Sequence, residues 1–103
     1  MGTGLNEILS QIERYLIPLM EADISGQFSK DENTILVLQQ INRLNQRIGQ
    51  LARASAERMP NMKVLQTQVN NLTIGVKNNN IPQMKNAFIQ VKSLIQTLDS
   101  ESN

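Results

Sequence analysis

Apolar residues recur at spacings of three and four along almost the whole chain, and no segment alternates with the period of two that a half-buried strand requires. Each such series lies on one face of a helix, and an apolar face must be buried against another. Four series are present, separated by Gly, Pro and Asn. The first is Leu5, Ile8, Ile12, Tyr15, Leu19 and Ala22, widened by Leu9, Leu16 and Met20. The second is Val37, Ile41, Leu44, Ile48, Leu51 and Ser55. The third is Met62, Leu65, Val69, Leu72 and Val76, and the fourth is Met84, Phe88, Val91, Ile95 and Leu98. The expected fold is therefore all-α: one domain over residues 1–103, an antiparallel four-helix bundle or two helical hairpins completed across a dimer.

The punctuation sets the expected helix ends at 3–23, 30–58, 61–78 and 82–99. Thr3 can cap the first helix, and Glu7 sits near the positive end of its dipole. Pro18 lacks an N–H and collides with the carbonyl of Arg14, so a kink is expected there. Ile24 to Phe28, with Gly26, reads as a loop. Ser29-Lys30-Asp31-Glu32 has the form of a capping box that opens the second helix. Pro60 should stop that helix, Asn78-Asn79-Asn80 should form a turn, and Pro82 suits the first turn of the fourth helix. Residues from Ser100 onward are expected to fray. The second helix, at about 40 Å, should outreach the third and fourth, at about 27 Å each.

The composition removes many chemistries. There is no His and no Cys. General acid–base catalysis by imidazole, Ser–His and Cys–His nucleophiles, Cys/His zinc sites and the Glu-x-x-His di-iron site are all closed to this chain. The five glycines are scattered and form no phosphate loop. Of the carboxylates, Glu21 with Asp23 and Asp31 with Glu32 are sequence neighbours, which on a helix point in different directions. No enzyme activity, cofactor or metal is expected.

No segment reaches the ~18 apolar residues of a membrane span. The N-terminus lacks the basic-then-apolar order of a signal peptide, and Asn6 stands where a myristoylation motif wants Ser or Thr. These features point to a cytoplasmic protein, in which the Asn71-Leu72-Thr73 sequon is a chance match. With aromatics limited to Tyr15, Phe28 and Phe88, the core must be aliphatic, and the Met residues at core spacing read as gap fillers. Twelve Asn and eleven Gln supply uncharged polarity that can solvate a helix face or bond across an interface.

Charge is divided unevenly behind a net +1. Residues 1–32 carry Glu7, Glu13, Glu21, Asp23, Asp31 and Glu32 against Arg14 and Lys30, a net −4. Residues 33–98 carry Arg43, Arg47, Arg53, Arg58, Lys63, Lys77, Lys85 and Lys92 against Glu57, a net +7, and Asp99 and Glu101 follow. Either the acidic first helix lies beside the basic remainder, or the basic region binds phosphate. For the second case the contacts are Arg43, Arg47, Arg58, Lys85 and Lys92. No aromatic residue interleaves with them to stack on bases.

Small residues mark the second helix. Gly49, Ala52 and Ala56 lie along one stripe beside the apolar seam, and Leu38 and Asn45 extend it. A mid-helix glycine costs about 1 kcal/mol relative to Ala, which the close approach of another helix would offset. That helix can come from the same chain or from a second copy. The leading expectation is an interaction module, a homodimer or a partner of another helical protein, using Leu38, Asn45, Gly49, Ala52 and Ala56. Nucleic-acid backbone binding is the alternative.

Overall fold

A computed structural model describes residues 4–21, 27–54, 57 and 59–101. Four helices follow one another: α1 (Leu5–Met20), α2 (Gln27–Ala54), α3 (Met59–Lys77) and α4 (Ile81–Glu101). There is no strand among the described residues. Each helix packs on its neighbours in sequence, and α1 also meets α4. Among the described residues the backbones of the diagonal pairs α1/α3 and α2/α4 do not approach each other. The α1–α2 and α3–α4 contacts are extensive, the α2–α3 contact is smaller and the α1–α4 contact smallest. The result is a ring of four rods, 45 Å long and about 20 Å across.

The apolar stripes form one core. Leu5, Ile8, Leu9, Ile12, Leu16 and Leu19 of α1 meet Val37, Ile41, Leu44 and Ile48 of α2. Met62, Leu65, Val69, Leu72 and Val76 of α3 and Met84, Phe88, Val91, Ile95 and Leu98 of α4 complete it. Ala87 is also buried, and Tyr15, Met20, Leu38, Leu51, Ala52 and Leu94 pack around the margin. Fully burying one such aliphatic side chain contributes about 1.5–3 kcal/mol, so this cluster is the main favourable term in folding.

Helix ends differ from the sequence expectation in several places. The residue ahead of α1 is Gly4, in the left-handed region at φ 83°, with no side-chain cap. Thr3 lies outside the described residues. α1 ends at Met20, two residues beyond the exposed Pro18, and the N–H of Glu21 donates to Ile17 at 3.1 Å. The expected end at Asp23 is outside the described residues. α2 begins at Gln27, so Gln27 and Phe28 are helical and Ser29 lies inside the helix instead of capping it. At 28 residues, α2 is the longest helix. Pro60 falls in the first turn of α3 instead of ahead of it, where its missing N–H would have had no helical partner. α4 continues through Ser100 to Glu101, beyond the expected fraying point.

The α3–α4 turn follows its sequence closely. Asn79 adopts φ 54°. Its N–H donates to the Val76 carbonyl at 3.2 Å, and the N–H of Asn80 donates to that of Gly75 at 2.8 Å. This is the Schellman pattern, in which a left-handed residue closes a helix. Asn80 then opens α4, its Oδ1 accepting the Gln83 N–H at 3.2 Å. One residue thus ends one helix and caps the next, which brings the two helices close together. Gly75 is buried at this point. A Cβ there would lie 3.1 Å from the Met84 backbone nitrogen and 3.2 Å from Gln83 Cγ.

Gly49 contrasts with it. A Cβ there would meet only the Arg53 guanidinium of its own helix, at 3.5 Å. In the dilute monomer, Gly49→Ala should raise the unfolding free energy by about 0.5–1 kcal/mol through helix propensity. Gly75→Ala should lower it, because its new methyl meets backbone. Denaturant titrations followed by circular dichroism check the pair; equal gains would contradict the close approach at Gly75.

Candidate functional site

The two flanks of α2 carry the two candidate surfaces. Leu38 and Asn45 lie on the flank that faces α3. With Ile41 and Asn42 they line an open cleft of about 210 Å³, closed on the other side by Thr73 and Lys77. Leu38 and Ala52 are half-buried and pack on the core margin, and Gly49 is half-buried with no other helix, among the described residues, within 4 Å of where its Cβ would stand. Ala56 lies outside the described residues. The small-residue stripe therefore does not serve a tight contact within the chain at Gly49. The glycine that does is Gly75, whose sequence signal is no stronger than that of Gly49.

Asn45 is the unusual member of this flank. Its Oδ1 is sealed from solvent and accepts no hydrogen bond among the described residues. Thr73 does not satisfy it, since its hydroxyl donates back to the Val69 carbonyl at 3.0 Å. A buried acceptor without a donor costs about 1–3 kcal/mol. It sits at the looser of the two contacts that α2 makes. Neither Asn42, Thr73 nor Lys77 stood out in the sequence, because their role depends on which flank of α2 receives α3.

The basic residues are divided between two helices. Arg47 lies toward α1: its Nε is 3.6 Å from where a Gly4 Cβ would stand. Arg43, one turn earlier, donates to Gln40 at 2.8 Å, and Arg47 donates to Gln50 at 3.1 Å. On α4, Lys92 pairs with Glu13 of α1 at 3.5 Å, and the exposed Lys85 lies two turns before it. Arg58 is outside the described residues. An acidic helix thus runs between the two basic rows, and one of its carboxylates engages one of them. The ion pair is about half exposed, so it contributes little, about 0–1 kcal/mol at most.

A second link joins these helices: Asn6 Nδ2 donates to Asp99 Oδ2. Asn71 of the sequon is within α3, half-buried and bonded to Gln68 at 3.4 Å. Among the described residues no group of three acidic side chains could hold a metal ion, and no helix is long and apolar enough to cross a membrane.

The fold defines the chain as an all-helical bundle. Compared with protein-family models, with curated proteins and with solved structures, it matches none. Its function is therefore argued from its own surfaces.

Replacing Asn45 with Leu removes the unpartnered acceptor and adds apolar area at the α2–α3 contact. Asn45→Leu should raise stability by about 1 kcal/mol in a chemical denaturation experiment. A loss of similar size would mean that Asn45 is satisfied in solution.

Proposed function

We propose that this chain is a non-enzymatic interaction module that self-associates along α2 through Leu38, Asn45, Gly49, Ala52 and Ala56. The observation that carries the reading is Gly49. It weakens the longest helix, and among the described residues no other helix comes within 4 Å of where its Cβ would stand. A second α2 crossing there would give the small residue a packing role, and a two-fold axis would place the same stripe on both copies. The chain offers no imidazole or thiol for chemistry, which supports a binding role over a catalytic one.

The proposal includes an antiparallel bundle. Its support is the pairing of Asn6 with Asp99 and of Glu13 with Lys92, in which residue numbers rise on α1 as they fall on α4. The three-residue turn between α3 and α4 agrees with it. A cytoplasmic setting is also proposed, on the ground that a cysteine-free chain makes no use of an oxidising compartment. Nucleic-acid binding through Arg43, Arg47, Arg58, Lys85 and Lys92 ranks second, because the carboxylates of α1 lie between the two basic rows.

Light scattering on a sizing column tests the reading. Wild type should elute with the mass of a dimer, and Gly49→Leu and Ala52→Glu should each elute as monomers. A monomeric wild type, or two variants that keep the dimer mass, would remove the α2 interface. Absorbance at 260 nm in the protein peak would favour nucleic-acid binding, since the chain has no Trp and one Tyr.

A further inference from the structure

Exposed rows on α1 and α3 carry complementary charges at the same spacing. Glu7 in α1 and Glu21, the residue that closes it, are exposed and stand fourteen residues apart, about 21 Å at the helical rise. On α3, Lys63 and Lys77 are exposed at the same separation, and α3 contains no acidic residue. None of these four forms an ion pair among the described residues; the pair that does form uses Glu13 and Lys92. α1 also exposes Ile17 at 41%, and α3 exposes Ile74 at 48% next to the lysine row and Val64 at 50%, about 100° round the helix from Lys63.

Laid parallel, with Glu7 against Lys63, the two helices bring Glu21 against Lys77 and Ile17 beside Ile74. At 100° per residue, both isoleucines then fall on the same side of the charge row. Laid antiparallel, Ile17 would face Thr67, and Ile74 would face Ser10. Arg14, midway along the acidic row, faces Asn70 in the parallel register and meets no like charge.

We propose that the exposed Glu7–Glu21 row of one copy docks in parallel on the exposed Lys63–Lys77 row of the next. The contact uses none of the α2 interface residues, although Lys77 also borders the cleft that Leu38 and Asn45 line. Because α1 and α3 occupy opposite corners of the ring, a copy cannot give both rows to one neighbour. The contact is head-to-tail and propagates instead of closing into a two-fold dimer. It consists of two exposed ion pairs and one aliphatic contact, so it is weak and salt-sensitive. It forms at high local concentration, as in an assembly that gathers many copies.

Sedimentation velocity over a concentration series tests this, on wild type and on Gly49→Leu. At low salt the mean mass should keep rising with concentration on both backgrounds, several-fold toward about 1 mM, and collapse at about 0.5 M salt. The double variants Glu7→Lys/Glu21→Lys and Lys63→Glu/Lys77→Glu should each lose this growth, and an equimolar mixture of the two should regain it. Ile17→Asn, which leaves net charge unchanged, should also weaken it. Wild-type mass that stays constant with concentration would overturn the proposal, as would a mixture no larger than its components or an Ile17→Asn variant that grows like wild type. Growth present in wild type and lost in Gly49→Leu would assign it to α2 and likewise overturn the α1–α3 contact.

Discussion

Everything in this molecule depends on aliphatic burial between helices. The chain has no disulfide, one Tyr, two Phe and no Trp, so no cross-link or large aromatic plate can hold it together. Branched aliphatic and methionine side chains from four stripes meet along a common axis, and most of them are fully shielded from water. Such a core is non-directional. It specifies that four amphipathic helices associate, and leaves the choice of neighbours to turns, small residues and polar contacts.

Those secondary devices are concentrated at one end. Between α3 and α4 the chain reverses in three asparagines, one left-handed and the next closing one helix and capping the other. Gly75 completes the device by letting the start of α4 approach within van der Waals contact. At the α2–α3 contact the devices are missing. A cleft, a polar lining and an unpartnered Asn45 carbonyl stand where the hairpins have tight packing. The bundle is thus two well-packed helix pairs, α1–α2 and α3–α4, joined through less extensive contacts, and its candidate interaction flank lies along one of these.

The stripes were legible in the sequence because a period of 3.6 is imposed by backbone geometry and repeated over many residues. Every core residue expected on α3 and α4 is buried. The Asn turn was legible for a similar reason, since few residues tolerate a left-handed backbone. Helix ends were less so: the Ser29 motif and Pro60 are single-site signals, and the helices begin two residues before the first and one before the second. Gly49 and Gly75 look alike in sequence, and only the position of α4 distinguishes them. The cleft residues Thr73 and Lys77 were not legible, because a linear pattern does not state which side of α2 receives α3. The charge division was legible in the sequence, and one pair across it, Glu13 of α1 with Lys92 of α4, is formed.

The account stands on α1 closing the ring against α4 of its own chain, with its acids between basic rows. Isotope-filtered nuclear Overhauser spectroscopy on a refolded mixture of labelled and unlabelled chains measures this directly. Contacts between α1 and α4 methyl groups should appear in the fully labelled protein and be absent between labelled and unlabelled chains. Strong α1–α4 contacts between labelled and unlabelled chains would mean that the hairpins are exchanged between copies, and would contradict a bundle closed within one chain.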